Sequence, residues 1–455
     1  MSTIALIICT IFVLYMLRLD RKQSPEVSFA FWIPTIWFLV LSSRPLGIWF
    51  QTGGATIIEE GNPIDRAFLT IVLVLGLIIL VKRKFSWSSL IKNNVWLILL
   101  LGYMLLSCLW SGDPFISFKR WTREVIAIVM AAAIASEPHP LKALESLFRR
   151  SVYVLIPFSY VCINYFPEYG RIYVHHSGDL MWVGTTIHKN VLTQLCVASI
   201  FFLIWTFFRR RQGRNAAASR YQTYLEVFIL LLAFWIMGGP YHSPTYSATA
   251  AMALMIGLLM FIGLVWYNKR GSIPGSALLT AFIIFIIVYG TITPFIGKLS
   301  LFDVSSLAGR EENLTGRADV WRQLIPVAMQ QPALGYGFAG FWTTNAREEF
   351  DISGSHNGYL DLILELGFIG LLFYTFFIVS NIRKAQRVMT QDFDWGVFWI
   401  CSLVMALVSN ITESLFSTFE TRMMAVILCL TFSSRMLDFK EPEVAPEAIN
   451  LDKNK

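Results

Sequence analysis

The sequence predicts an all-α polytopic membrane protein, and two features of its composition carry that prediction. Of its 455 residues, 55% are hydrophobic and only 15% are charged, whereas soluble domains carry roughly 25% charged residues. Apolar runs also recur along the chain at lengths close to the ~20 residues that a helix needs to cross a bilayer. A single soluble core is therefore excluded, and about 12–13 transmembrane helices are expected.

The charged breaks between apolar runs set the predicted spans. These lie at 3–17, 28–50, 67–81, 95–110, 124–136, 151–166, 191–208, 223–238, 248–267, 276–296, 358–380, 396–410 and 421–434. The fifth run and the last two are shorter than a normal span, so they must extend into flanking residues or be partly interfacial.

Four regions follow from this spacing. We expect an N-terminal transmembrane bundle of about ten helices, a long loop, C-terminal transmembrane helices and a tail that is disordered in the cytoplasm. Their limits are 1–296, 297–357, 358–434 and 435–455.

Basic residues set the expected orientation. The first apolar run is followed by Arg18, Arg21 and Lys22, so it is predicted to be an uncleaved anchor with its N-terminus outside. Most of the 37 Lys and Arg residues then fall on the cytoplasmic side, and the cluster from Arg209 to Arg220 is expected to face the anionic inner leaflet. The net charge of +7 is thus a topology signal, and no nucleic-acid partner is predicted.

The long loop carries positive charge on the side of the membrane where topology disfavours it. Its basic residues are Lys298, Arg310, Arg317, Arg322, Arg347 and His356. Long loops of this kind usually carry function, and anion binding is the simplest reason for such charge.

Arg317 opens a helical pattern in this loop. Its apolar face holds Val320, Trp321, Leu324, Ile325 and Ala328, so the helix is amphipathic and is expected to lie on the membrane surface. Thr315 is a candidate N-cap, which places Arg317 in the first turn, where a cation opposes the helix dipole. Backbone N–H groups and a guanidinium there suit a phosphate or diphosphate. The alternative is that Arg317 pairs with Glu311 or Glu312.

His356 stands just before the span that begins at Tyr359, which puts its imidazole at the outer membrane boundary. A neutral imidazole can accept a proton from a hydroxyl nucleophile. Asp361 and Glu365 share one face of the following helix, where either can orient the imidazole or a sugar hydroxyl. The alternative is an interfacial histidine that caps the helix, with both carboxylates facing packed neighbours.

The ordered motifs of this region resemble the O-antigen ligase and polymerase superfamily. They are Leu314-Thr-Gly-Arg317, Trp321, the turn Pro332-x-x-Gly335-Tyr-Gly-Phe338, and His356-Asn357-Gly-Tyr-Leu followed by Gly367-x-x-Gly370. Lys119-Arg120-Trp121 and the run from Thr185 to Asn190 are similar to the exopolysaccharide-production branch. The resemblance implies a GT-C-like glycosyltransferase of the bacterial inner membrane with a large periplasmic loop. Its donor would be an undecaprenyl-diphosphate-linked oligosaccharide, used with inversion and without a metal.

The resemblance also implies residue roles. A histidine matching His356 would activate the acceptor hydroxyl, and an arginine matching Arg317 would hold the donor diphosphate. The candidate supporting residues are Asn357, Asp361, Glu365, Lys119, Arg120 and His188. Many relatives carry a second basic residue where this chain has the stretch 243–249, which contains none. The candidates to replace it are Lys189, which follows His188, and the group of Lys119, Arg120 and Arg123. Alternatively, Lys189 extends to the membrane interface, and the second group pairs with Asp113 and Glu124.

The expected partners are the lipid-linked donor, a glycan or lipid acceptor, the bilayer, and polysaccharide export or chain-length proteins. No cofactor is predicted, and the six cysteines lie inside apolar runs without the paired spacing of a disulfide framework or a metal site. A polymerase is favoured over a ligase because of the exopolysaccharide-like N-terminal motifs. A lipid-linked-glycan transporter is the alternative from another class, but it would predict charges near mid-membrane or an internal repeat. A non-catalytic secretion scaffold is the third possibility.

Overall fold

The computed structural model describes residues 1–51, 61–173, 178–213, 219–240, 247–271, 275–296, 317–350, 352 and 354–414. Most of these residues form helices, because a helix pairs its backbone polar groups internally, as the apolar bilayer interior requires. The chain is an all-α polytopic membrane protein, as its composition predicts.

The described residues of the N-terminal part form ten helices and one hairpin. The helices are α1 (Ser2–Gln23), α2 (Trp32–Leu41), α3 (Leu46–Trp49), α4 (Pro63–Lys82), α5 (Trp87–Asn93), α6 (Val95–Ser107), α7 (Pro114–Ala135), α8 (Pro140–Tyr165), α9 (Pro167–Gly170) and α10 (Lys189–Arg211). Short 3-10 turns lie at Phe29–Phe31 and Cys108–Trp110. Between α9 and α10, β1 (Arg171–Tyr173) pairs antiparallel with β2 (Leu180–Trp182), with Arg171 opposite Trp182.

Seven more described helices complete the fold. They are α11 (Arg220–Gly238), α12 (Ala248–Lys269), α13 (Ser276–Ile296), α14 (Arg317–Ala328), α15 (Thr344–Phe350), α16 (Gly358–Gln391) and α17 (Phe393–Ser409). Helix α17 packs on α12 and α16, and α16 also packs on α6 and α13. Nearly every side chain of α17 is buried, which explains why this helix is apolar all round.

Fewer helices than predicted are long and apolar enough to cross a membrane. The described residues contain eight: α1, α4, α8, α10, α11, α12, α13 and α16, or nine if α5 and α6, bent by 95°, form one broken span. The predicted run 28–50 is split into α2 and α3, and 124–136 is the apolar half of α7. The predicted span 396–410 is the shorter helix α17, while 421–434 and the tail lie outside the described residues.

The arginines at the end of α10 do not all face lipid, which corrects the expectation for Arg209 and Arg210. Arg209 donates a 2.8 Å hydrogen bond to Glu145 of α8, and Arg210 pairs with Glu226 of α11. Both pairs are largely buried, because the last turn of α10 lies between α8 and α11 and a buried charge requires a partner. Arg211, the last residue of the helix, is exposed.

Helix α14 confirms the predicted amphipathic pattern but is not confined to a membrane surface. Its apolar side buries Ala318, Trp321, Leu324 and Ala328 against α13 and α16. Trp321 donates its indole N–H to the carbonyl of Ser355 at 2.9 Å. The helix is therefore fixed to the protein next to His356. Its predicted N-cap, Thr315, lies outside the described residues.

Helix α16 is broken at Gly367, where φ is 65° and ψ is −170°. The turn that starts at Pro332 fills the break: Tyr336 N–H donates to the carbonyl of Leu364 at 2.8 Å, and Phe368 N–H donates to the carbonyl of Pro332 at 2.8 Å. The backbone groups that a broken helix leaves free thus find partners in the turn. This contact fixes the 332–337 segment against the helix that follows His356.

Candidate functional site

Arg317 is the first residue of α14, and its guanidinium lies against a carboxylate from the far end of the chain. Its Nη2 donates to Glu413 Oε1 at 3.1 Å, with 15% of the Arg317 side chain and 10% of the Glu413 side chain exposed. This is the one hydrogen bond of that guanidinium to a described residue. The predicted alternative partners, Glu311 and Glu312, lie outside the described residues.

Glu413 also connects Arg317 to the start of α10. The Asn190 side-chain amide donates to both carboxylate oxygens of Glu413, at 2.8 Å and 2.7 Å. Lys189 is the first residue of α10, and His188 caps the helix by accepting the Asn190 N–H at Nδ1 at 3.2 Å. Segments distant in sequence therefore meet at one carboxylate.

His356 occupies a left-handed backbone conformation with φ of 55°, which is unfavourable for a residue with a side chain. Its two neighbours hold it there. Ser355 Oγ donates to the carbonyl of Asn357 at 2.8 Å, and Asn357 caps α16 by accepting the Leu360 N–H at 2.8 Å. Such strain persists where the surroundings fix it, and it is common at functional sites.

The amide of Asn357 fixes this segment further. Its Nδ2 donates to the carbonyl of Gly290 at 3.0 Å and to that of Ile411 at 2.8 Å. Asn357 is fully buried, and buried polar groups need hydrogen-bond partners. Its amide and the two carbonyl groups therefore satisfy one another. The residue therefore positions His356 relative to both α13 and the segment that carries Glu413.

Burial and nearby positive charge keep the two histidines neutral. Burial, followed by electrostatic interaction with Arg317, His188 and Lys189, lowers the pKa of His356 to about 4. Burial and Lys189 lower the pKa of His188 to about 4 as well. A neutral imidazole at His356 has a ring nitrogen that can accept a proton. Burial shifts the pKa of Glu413 in the opposite direction. It raises the pKa of this carboxyl group despite the opposing effects of Arg317, Asn190 and Lys189.

Three helices begin at this cluster. Lys189 starts α10, Arg317 starts α14, and Asn357 caps α16. Helix N-termini carry unpaired N–H groups and partial positive charge, so they favour anions. Two cationic side chains next to a neutral imidazole form a site suited to a phosphorylated ligand and a proton transfer.

Asp361 and Glu365 are almost fully buried, and their described contacts are with protein groups. Asp361 Oδ1 accepts the indole N–H of Trp342 at 3.0 Å and the backbone N–H of Ser355 at 3.4 Å. Glu365 Oε2 accepts the backbone N–H of Ala339 at 3.0 Å. These contacts fit the alternative in which both carboxylates face packed neighbours, although the helix is capped by Asn357 and not by the histidine.

The structure brings together only some of the predicted basic residues. Lys189 lies within electrostatic reach of His356 and Glu413, and so accompanies Arg317 at the cluster. Arg120 instead donates to the carbonyl of Ala339, and the Lys119 ammonium lies 5.0 Å from the ring centre of Phe115. Of the two candidates for a second basic residue, the geometry favours Lys189.

Glu413 and Asn190 are the site residues that sequence reasoning missed. Glu413 follows the predicted span 396–410 on the same side of the membrane as the long loop, which is the signal that could have drawn attention to it. One carboxylate after an apolar run is ordinary, however, so the sequence gives it no special weight. In the described part of the chain, no three His, Cys, Asp or Glu side chains come together as a metal site.

Comparison with known proteins finds a match for the part of the chain that carries Arg317 and His356. Residues 244–375 match a family model described as O-antigen ligase, a range that contains both Arg317 and His356. The chain is also similar to the exopolysaccharide production protein ExoQ of Rhizobium meliloti (strain 1021), with 22% identity over 315 residues that cover 66% of this chain and 68% of that protein. Both matches agree with the motif resemblance and support similarity of this chain to the O-antigen ligase and polymerase superfamily.

Proposed function

We propose that the protein is a glycosyltransferase that assembles a surface polysaccharide at the periplasmic face of the bacterial inner membrane. Its donor is a glycan linked to undecaprenyl diphosphate. One observation carries the proposal: Arg317, Lys189 and His356 meet where three helices begin, so an anion site and a neutral base lie side by side. Similarity to the superfamily supports an enzyme of polysaccharide assembly.

The donor diphosphate binds against Arg317 and Lys189. The guanidinium offers paired N–H donors and the ammonium adds a point charge, so the two stabilise the negative charge that develops on the leaving diphosphate. Helix N-termini contribute further N–H groups at no cost in reorganisation. These groups make undecaprenyl diphosphate a better leaving group.

His356 serves as the general base. Its neutral imidazole takes the proton of the acceptor hydroxyl while that oxygen forms a bond to the anomeric carbon of the donor. The bond from the anomeric carbon to the diphosphate breaks, and its electron pair leaves with undecaprenyl diphosphate. Attack opposite the leaving group inverts the anomeric configuration.

Polymerisation is the favoured form of this reaction. The N-terminal motifs resemble the exopolysaccharide branch, and the similar protein from Rhizobium meliloti is named for exopolysaccharide production. The acceptor is then a second lipid-linked glycan, and export or chain-length proteins are the expected partners. A ligase would instead move a finished glycan to another acceptor, such as lipid A-core.

The test uses purified protein in nanodiscs with an undecaprenyl-diphosphate-linked oligosaccharide. A polymerase gives a ladder of longer glycans and releases undecaprenyl diphosphate, whereas a ligase gives one transfer when its acceptor is added. If no carrier is released with any acceptor, the glycosyltransferase proposal is wrong. A transporter would then be indicated by movement of the intact donor across a vesicle membrane.

A further inference from the structure

The Arg317 guanidinium is held by a carboxylate at the place where a ligand anion would bind. Glu413 Oε1 lies 3.1 Å from Arg317 Nη2, and only 8% of the Glu413 residue is exposed. Simultaneous occupation of this site by a diphosphate and an ionised carboxylate is energetically unfavourable, because like charges repel strongly where water is largely excluded. Binding the donor therefore requires a change at Glu413.

The surroundings of Glu413 allow it to lose its charge without losing its position. Asn190 donates to both carboxylate oxygens, so the carboxyl group keeps a neutral partner when Arg317 is taken by another anion. The charged groups that act on it are Arg317 from α14 and Lys189 from α10, and the same two cations act on His356, in the segment before α16. Burial favours the neutral carboxyl, and the two cations oppose that preference.

We propose that Glu413 is an exchangeable counter-ion of the donor-binding site. It neutralises Arg317 when the site is empty, and it takes one proton from water when a diphosphate displaces it. The carboxylic acid then remains on Asn190, and it ionises again and returns to Arg317 as the diphosphate leaves. This inference rests on the proposed function, since it assigns a regulated step to the same anion site.

Two consequences follow for the ligand. An anion must carry enough charge to displace the carboxylate, so a diphosphate is favoured over a monoanion. The returning carboxylate also competes with the spent carrier for Arg317, which promotes product release. Removing the charge of Glu413 should therefore tighten diphosphate binding.

The experiment measures binding of inorganic pyrophosphate by calorimetry, without glycan transfer. The protein is held in nanodiscs of zwitterionic lipid, and wild type is compared with Glu413→Gln at pH 7.5. The amide fills the same space but cannot ionise, so we expect about tenfold or tighter binding. As the pH falls, the difference should narrow, because the wild-type carboxylate becomes protonated while the amide does not titrate.

Two further variants control this comparison. Asp319→Asn removes an equal charge from the first turn of α14, where Asp319 is 53% exposed and pairs with Arg322 at 2.9 Å, and it should bind pyrophosphate as wild type does. Arg317→Gln should lose binding. If Arg317→Gln binds as well as wild type, or if pyrophosphate binds to none of the proteins, the proposed donor site itself is wrong and this inference fails with it.

The inference alone fails if pyrophosphate binding depends on Arg317 but Glu413→Gln binds no more tightly than wild type. It also fails if Asp319→Asn gains as much pyrophosphate affinity as Glu413→Gln. Should Glu413→Gln not fold, Glu413→Asp replaces it. The shorter side chain keeps the charge but withdraws it from Arg317, so we expect a smaller gain in affinity. An unchanged or weaker affinity for that folded variant would also overturn the inference.

Discussion

The backbone of His356 explains how its imidazole is held near Arg317 and Lys189 in the candidate site. Its left-handed conformation turns the chain between Ser355 and Asn357, and the capping amide of Asn357 fixes the start of α16. A conformation of this kind costs about 1–3 kcal/mol. The buried hydrogen bonds of Asn357 offset that cost, and they give the imidazole a fixed place beside Arg317.

Arg317→Lys should lower activity although it keeps the positive charge. An ammonium cannot offer the paired, planar donors of a guanidinium, and hydrogen bonds to charged groups contribute about 1.5–3 kcal/mol. We expect a loss of about 10- to 100-fold in glycan transfer with normal membrane insertion. Arg322→Lys is the matched control, because Arg322 lies on the same helix with 71% of its side chain exposed. Equal activity of the two variants would contradict diphosphate binding by Arg317.

The pH dependence of transfer should report the lowered pKa of His356. The histidine acts as a base only when neutral, and burial and the nearby cations lower its pKa to about 4 from the usual value of about 6.5. Activity should therefore persist as the pH falls through 6.5 and decline near 4. Initial rates between pH 4 and 8 test this. A half-maximal rate near pH 6.5 would show that the pKa of His356 is not lowered.

The same pKa values set the direction of the stability change. The unfolded chain binds protons at His188 and His356 as the pH falls below about 6.5, whereas the folded chain binds them only near 4. Stability from these groups should thus decrease from about pH 6.5 to 4 and change little below that. Thermal unfolding in detergent should show a smaller decrease for His188→Gln than for wild type.

Sequence reasoning singled out Arg317, Lys189 and His356 as candidates but not the residues that connect them. Arg317 and His356 attract attention because positive charge and a titratable side chain stand at the membrane boundary. Asn190 and Glu413 contact each other across 223 positions of the chain. Such a contact depends on how helices pack, so no local pattern could predict it.

At the scale of elements, the break in α16 links the glycine-containing turn at 332–337 to the helix that follows His356. Gly335 and Gly367 both have positive φ, at 64° and 65°, and a side chain on either would meet the backbone of the other segment. The sequence predicts the turn from its glycines. It does not predict that the turn fills a helix break, because the apolar run continues through Gly367 without a change of pattern.

Gly367→Ala should destabilise the protein and reduce transfer. An added Cβ would lie 2.2 Å from the carbonyl oxygen of Ala333, and the backbone conformation itself is nearly restricted to glycine. We expect a loss of at least about 1–3 kcal/mol, seen as a lower unfolding temperature. The control is Gly263→Ala in α12, where a Cβ meets no atom within 4 Å and alanine favours the helix. Equal effects of the two substitutions would show that the break is not under this constraint.

Helix α14 shows what an amphipathic pattern can and cannot predict. The spacing of apolar and charged residues predicts this helix and its buried face correctly, because the helical period of 3.6 residues fixes which side chains share a face. It cannot tell a membrane surface from a protein surface, since both bury apolar side chains. The hydrogen bond from Trp321 to Ser355 fixes the helix on the protein. A hydropathy pattern contains no information on such a polar contact.

At the scale of the molecule, α10 connects two ends with different chemistry. It begins at Lys189 in the candidate site and ends at the buried ion pairs of Arg209 and Arg210. The span is long and apolar enough to cross a membrane. The predicted orientation places its first residue outside and its last residue in the cytoplasm.

Cysteine labelling in intact cells tests that orientation. Asp319→Cys lies on an exposed position of α14 near the site, and Arg211→Cys lies on an exposed position at the other end of α10. The described native cysteines are buried, so background labelling should be low. A membrane-impermeant maleimide added after outer-membrane permeabilisation should label Asp319→Cys, and it should label Arg211→Cys only after lysis. The reverse pattern would place the site in the cytoplasm.

The central claim is that His356 is the base of a lipid-linked glycan transfer, and the most direct measurement compares wild type with His356→Ala. Both are purified in nanodiscs, supplied with the same undecaprenyl-diphosphate-linked oligosaccharide, and assayed for glycan transfer and carrier release. His139→Ala is the control, because His139 is exposed at the start of α8, where its side chain makes no capping bond. We predict that His356→Ala transfers glycan about 10²- to 10⁴-fold more slowly while His139→Ala matches wild type. Transfer by His356→Ala at the wild-type rate would contradict the account.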